Sequence, residues 1–221
     1  MRILAIDTSH PAGSIALVDH GPSDSLSIIR PLPGEFRTAQ SLIPEIQRLL
    51  QQERLALADI DCLAVAIGPG SFTGLRIGVT AAKTLAYATG AGVVGVDTLD
   101  AWAYGQTYPT RLWALFDAGR GQQLVACYEQ SDPAIVGGQL PKPVAAPRLL
   151  STEAWLAQLQ PRDVCCGPFA ERLRPALPPG ISILSTDQPL AGNIARIAEL
   201  LHRQGQTSDP MTLLPHYYRA S

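Results

Sequence analysis

Residues 68–78 read Gly-Pro-Gly-Ser-Phe-Thr-Gly-Leu-Arg-Ile-Gly. The apolar run Cys62-Leu-Ala-Val-Ala-Ile67 ahead of them has the length of a buried strand, and Gly68-Pro69-Gly70 breaks it. Ser71 or Thr73 then caps a helix predicted to run to about Ala88, with Gly90 as its stop. A strand that feeds a helix through glycines points to an α/β fold, and the flanking sequence agrees. Downstream, Val93-Val94-Gly95-Val96 reads as a second buried strand, and 98–105 as a helical turn or two. Upstream, Leu42, Ile43, Ile46, Leu49 and Leu50 recur at helical spacing, which predicts a helix over 38–54. Pro44 inside it predicts a kink, or a start nearer residue 42. The runs 2–6 and 14–18, joined by turn formers from Asp7 to Gly13, predict a hairpin, and 25–30 a third strand.

The second half is patterned more loosely. Strands are expected over 112–116, 123–129, 163–166 and 181–184, helices over 152–159 and 191–203, and a proline-rich loop with edge strands over 131–148. The expected organisation is two α/β halves with mixed sheets, 1–108 and 109–221, the last helix 191–203 belonging to the second. No internal repeat is visible residue by residue.

The glycine-rich stretch invites a chemical reading. Glycines at a helix N-terminus present N–H groups to an anion. The stretch lacks the Gly-Lys-Ser/Thr of a Walker A loop, its third glycine comes one residue late for GxGxxG, and it contains no GxSxG. Its residues alone leave an anion or nucleotide loop and a structural tight turn as equal alternatives. The loop candidates are Gly68, Gly70, Ser71, Thr73 and Gly74, joined by Asp7, Thr8 and Ser9 at the end of the first strand.

The helix after the loop is apolar nearly all round: Leu75, Val79, Ala82 and Ala86 form one face, and Ile77, Ala81 and Leu85 widen it. Only Arg76, Thr80, Lys83 and Tyr87 form a polar stripe. Such a helix is buried in its own domain or shared with a partner.

Composition narrows the class. The chain has 221 residues and a net charge of −2, and charged residues make up 16%, against roughly 25% in an average domain. A chain so poor in charge is neither disordered nor an autonomous nucleic-acid binder. It has little charge with which to cover its surface, which suits a face covered by another subunit. Neither a targeting nor a membrane segment is expected. Cys62, Cys127, Cys165 and Cys166 form no CxxC, so four reduced thiols in a cytoplasmic protein are expected. The four histidines show no metal-ligand spacing, and no nucleophile–base pair stands out, so neither metal site nor catalytic residue is expected.

Four segments together carry a resemblance: Ile3-Leu-Ala-Ile-Asp-Thr-Ser9, the glycine-rich stretch running into Lys83, Val94-Gly-Val-Asp-Thr-Leu99, and Pro215-His-Tyr-Tyr-Arg219. They resemble the TsaB (YeaZ) family, which has the ASKHA (actin/sugar kinase/Hsp70-like) fold and serves synthesis of N6-threonylcarbamoyladenosine in tRNA. Two positions depart from that family: Thr38 stands where a histidine is common, and 117–122 reads Asp-Ala-Gly-Arg-Gly-Gln in place of Asp-Ala-Arg-Arg-x-Glu.

The resemblance implies a non-catalytic subunit that activates the related, metal-bearing TsaD, with TsaE, an ATPase, joining the pair. The implied docking surface is a bundle of the helices 38–54 and 73–88, with Leu42, Ile46, Leu50, Arg76, Gly78, Val79, Thr80, Ala82, Lys83 and Tyr87. Alone, the same helices are expected to pair two copies as a homodimer. No cofactor is expected on the isolated chain, with ATP or ADP in the complex left open. Contact with tRNA is expected to be indirect, or local to Arg30/Arg37 or Arg172/Arg174. The alternative is an ATP-binding enzyme, an ATPase or kinase using Asp7 and the 68–74 loop.

Overall fold

A computed structural model describes residues 1–20, 25–33, 38–129, 138–184 and 188–218. Arg37 and Arg219 therefore lie outside the described residues. The first unit comprises Met1–Thr98 and Pro189–His216, the second Leu99–Gln188 and Tyr217–Ser221.

In the first unit, β1 (Arg2–Asp7), β2 (Ser14–His20) and β3 (Ser25–Pro31) form an antiparallel meander. Chain reversal through α1 (Thr38–Gln52) brings β4 (Cys62–Gly68) parallel to β1. After α2 (Phe72–Thr89), β5 (Gly92–Asp97) lies parallel to β4. The sheet order is β3-β2-β1-β4-β5. Every residue of β4 is buried, and β1 is buried from Ile3 onward. Strands covered on both faces need no polar alternation, which is why these runs read as continuous apolar stretches. Leu4, Ile6, Leu63 and Val65 pack with Leu42, Ile46, Leu49, Val79 and Ala82 of α1 and α2. The helix α6 (Ala191–Arg203) packs on β1 and β2, and its Ala191 N–H donates to Ser14 Oγ at 3.1 Å.

This last contact departs from the expected organisation. The closing helix belongs with the N-terminal sheet, and the first unit ends at Thr98 rather than near 108. Sequence distance conceals the pairing, because the apolar face of α6 needs a sheet face that the first hundred residues leave uncovered. Pro44 does not delay the helix to residue 42: α1 starts at Thr38 and continues through it to Gln52. Ser71 caps α2 by accepting the Gly74 N–H, and Gly90 stops it at φ 73°, both as expected.

In the second unit, β6 (Arg111–Gly119) and β7 (Gln122–Glu129) form a hairpin, with β8 (Arg148–Ser151) antiparallel to β7. Beyond β6 lie β9 (Val164–Cys166) and β10 (Ser182–Ile183), both parallel, giving β8-β7-β6-β9-β10. Short helices α3 (Thr98–Ala103), α4 (Thr152–Leu156) and α5 (Ala170–Leu173) accompany them. Strand for strand, the two sheets share one order and one set of directions. This repeat is absent from the residues and present in the hydrogen-bond ladders. Among the described residues no helix is long and apolar enough to cross a membrane.

Candidate functional site

Three of the motif segments meet at one corner of the first unit. Asp7, Thr8 and Ser9 end β1 and are all buried. The glycine-rich loop lies directly on them: Ser71 N–H donates to the Ser9 carbonyl at 2.6 Å, and Thr8 Oγ1 donates to the Gly74 carbonyl at 2.8 Å. A methyl at Gly70 would stand 2.7 Å from the Ser9 carbonyl oxygen, and one at Gly74 would overlap the Thr8 carbonyl oxygen. Gly78, one turn on, faces the Thr8 hydroxyl as closely. The C-terminal motif closes the corner, since His216 N–H donates to the Ile67 carbonyl at 2.7 Å and the Gly68 Cα lies against the His216 carbonyl.

This packing bears on the two readings of the loop. A phosphate loop uses its glycines to let a ligand approach the backbone. Here, the space beside Gly70, Gly74 and Gly78 is taken by Thr8 and Ser9 of the same chain. The Ser9 N–H and hydroxyl both donate to Asp7 Oδ1, at 2.9 and 2.6 Å, so neither points outward to a ligand. The residues Asp7–Ser9 and Gly68–Gly74 thus form a stitched structural corner, with Ser71, Phe72 and Thr73 left exposed.

Asp7 itself is fully buried, and its Oδ2 has no hydrogen-bond partner among the described residues. Burial pushes its carboxyl above the ordinary carboxylate range, and the Ser9 hydroxyl, His10 and the Ser9 N–H oppose that only in part. A raised folded-state pKa means that the folded state binds its proton more tightly, so Asp7 lowers stability as pH rises from about 3.8 through the folded value. Asp7→Asn keeps the oxygen that accepts from Ser9. Its stability relative to the parent is expected to rise with pH, being greater at neutral pH than at pH 4. Urea unfolding across that range measures it, and a pH-independent difference would contradict it.

The cysteines are unsuited to nucleophilic work. Burial pushes the Cys62 and Cys165 thiols up to about 12 and Cys127 up to about 11, and all four are unbridged. Among the described residues no group of three or more His, Cys, Asp or Glu is assembled for a metal.

The partner-face residues divide sharply. Leu42, Ile46, Leu50, Val79 and Ala82 are buried in the unit's own core, and Gly78 is buried against Thr8. Of these six, Leu42 also lines the groove between α1 and α2, while Ile46, Leu50, Gly78, Val79 and Ala82 do not and pack inward. Lys83 is tied down as well, its Nζ donating to the carbonyls of Met211 and Leu213 at 3.2 and 3.0 Å.

Arg76, Thr80 and Tyr87 remain exposed, with Tyr87 at 78%. Beside them an open apolar groove of about 600 Å³ runs between α1 and α2. Its walls add Ala39, Phe72 and Thr84, which the spacing did not mark, to Ile43 and half-buried Ile77, Ala81 and Leu85, which it did. Phe72 is 56% exposed and Ile43 40%, which is unusual for such side chains on a monomer surface. The signal for Ile43 was the apolar spacing of helix 38–54; nothing in the sequence pattern marked Phe72.

The basic candidates for local RNA contact are partly engaged. Arg174 is held by Glu171 through Nε and Nη2, and Arg172 reaches Asp117 at 3.8 Å.

Comparison with known proteins places this geometry. A family model described as TsaD: tRNA N6-adenosine threonylcarbamoyltransferase matches residues 35–164. The Bacillus subtilis tRNA threonylcarbamoyladenosine biosynthesis protein TsaB is 32% identical over 166 residues, covering 74% of this chain and 68% of that one. The chain belongs to the TsaB (YeaZ) family. The Escherichia coli protein of the same description is 35% identical over 153 residues, 68% of this chain but 64% of the relative, so just under two thirds of that protein is matched. A Pseudomonas aeruginosa crystal structure, described as an uncharacterized protein with similarity to peptidase YEAZ, superposes with a TM-score of 0.79 at 26% identity. It covers 99% of both chains. The two mixed sheets are thus those of an ASKHA-type fold, as the TsaB-family resemblance implied.

Proposed function

We propose that this TsaB-family chain is a non-catalytic activating subunit in the synthesis of N6-threonylcarbamoyladenosine in tRNA, docking on a TsaD-like catalytic subunit through the α1–α2 groove. The observation that carries the docking site is the groove itself: Phe72 and Ile43 stand exposed beside half-buried Ile77, Ala81 and Leu85. The matching family model is that of the catalytic enzyme, which supports a partner built on the same two helices. The non-catalytic role is supported by the corner at Asp7–Ser9 and Gly68–Gly74, which packs on itself. A TsaE-like ATPase completes the assembly, tRNA reaches it through the partner, and the setting is the cytoplasm. Without the partner, two copies pair through the same groove.

The test is co-elution of the purified chain with a TsaD-like subunit. Thr80→Glu on the exposed side of α2 and Ile43→Glu on α1 each place a lone carboxylate in the docked groove. Each is expected to weaken association at least about 100-fold, equivalent to about 3 kcal/mol. Circular dichroism should show both variants folded, because neither residue is buried. Undiminished complex formation by both would remove the groove from the docking site.

A further inference from the structure

The second unit holds a recess of about 390 Å³, floored by β6 and β7 and rimmed by the chain before β8 and after α4. Two guanidinium groups are built into it. Arg111 donates through Nε to Asp163 Oδ1 at 3.0 Å and through Nη2 to Asp163 Oδ2 at 2.6 Å. Asp163 is fully buried and also accepts from the Trp113 indole and the Gln160 N–H, both at 2.9 Å. Arg111 Nη2 further donates to the Gln158 carbonyl at 3.1 Å, while Arg148 Nη2 donates to Gln158 Oε1 at 2.7 Å. One residue, Gln158, therefore holds both guanidinium groups, Arg111 through its backbone carbonyl and Arg148 through its side-chain amide. Each keeps N–H groups that no acceptor among the described residues takes.

The remaining surfaces suit a bound anion. Val125, Val144 and Leu159 supply apolar wall. Burial keeps the Cys127 thiol neutral, its pKa pushed up to about 11, so it opposes no negative charge. Glu129, opposite Arg111 in the β6–β7 register, forms no ion pair with it among the described residues and is not part of the recess wall. Arginine held by fixed acceptors loses little freedom on forming further bonds, and its planar fork suits carboxylate and phosphate oxygens. Two such groups converging in a concave site select a small molecule over an extended backbone, which needs a basic stripe.

We propose that this recess binds a small organic anion, a carboxylate or phosphate monoester with an apolar body, through the free N–H groups of Arg111 and Arg148. No residue of the recess lies on α1 or α2, so the binding and the partner docking fail separately.

The test is titration of the full ¹⁵N-labelled chain with benzoate and phenyl phosphate, with acetate and inorganic phosphate as comparators. Saturable shifts are expected at the Trp113 indole and the Gln158 amides. The aromatic anions should bind about tenfold or more tightly than the comparators. Arg148 is exposed, so Arg148→Gln leaves the fold intact and is expected to weaken binding about tenfold or more. Absence of saturation, shifts unaffected by Arg148→Gln, or equal binding of aromatic and comparator anions would each overturn the proposal.

Discussion

Gly74→Ala is expected to lower the unfolding midpoint of the first unit by about 6–12 °C. The added methyl overlaps the Thr8 carbonyl oxygen, a backbone atom that cannot swing aside. Thr8 is buried, and its hydroxyl donates to the Gly74 carbonyl, so β1 and α2 would have to separate to make room. Overpacking of this kind costs about 3 kcal/mol or more, and in a chain of this size each kcal/mol shifts the midpoint by about 2–4 °C. Gly90→Ala is the matched control in the same unit. Gly90 has φ 73° but nothing within 4 Å of the added methyl, so it should lose only about 1 kcal/mol, from the left-handed backbone. Thermal melts followed by far-ultraviolet circular dichroism compare the two. Equal midpoints would mean that the glycine-rich loop is not packed on Asp7–Ser9 as described.

Asp163→Ala is expected to destabilise the second unit by about 3–5 kcal/mol. The carboxylate is fully buried and accepts four hydrogen bonds, two from Arg111 and one each from Trp113 and Gln160. Removing it strands a half-buried guanidinium and a buried indole N–H, and breaking such a pair costs more than the pair itself contributes. Asp163→Asn retains one acceptor oxygen and should fall between the variant and the parent. All three tryptophans, Trp102, Trp113 and Trp155, lie in the second unit, so their emission during denaturation reports on that unit alone. A midpoint within about 2 °C of the parent for Asp163→Ala would contradict this account.

The two predictions share a lesson about where motifs come from. Ile3–Ser9, Gly68–Gly78 and the Pro215–His216 end of the last segment are far apart in sequence, yet they form one packed corner. Their residue types answer to close approach: glycine where a backbone touches, and a hydroxyl where a carbonyl needs a donor. A loop that looks like a ligand cradle in one dimension can be filled by its own chain in three.

Legibility in the sequence followed the range of the forces involved. The strand–loop–helix unit at 62–90, its Ser71 cap and its Gly90 stop are local, set by backbone sterics and by hydrogen bonds a few residues apart, and they were readable directly. So was the apolar circumference of α2, which leaves a core helix and a shared face as alternatives. Which side of α2 stays exposed was not readable. Leu42, Ile46, Val79 and Ala82 carry the stronger periodic signal, and that signal belongs to the core. The exposed wall of Ile43, Phe72 and Thr84 is weakly patterned and appears only when α1 and α2 lie side by side.

Sequence by itself determined the α/β class, the order of elements over the first hundred residues and, through four short segments, the family. Each rests on contacts between near neighbours or on residue identities that stand in the chain unaided. Tertiary structure alone decided the rest: α6 belongs with the first sheet, the two sheets repeat one topology, and the glycine-rich loop is closed by Thr8 and Ser9. It also brought Arg111 and Arg148 to one recess and paired Arg111 with buried Asp163. These outcomes depend on groups tens of residues apart, and their meeting is set by buried area and unsatisfied hydrogen bonds across the whole unit. No local pattern encodes that requirement.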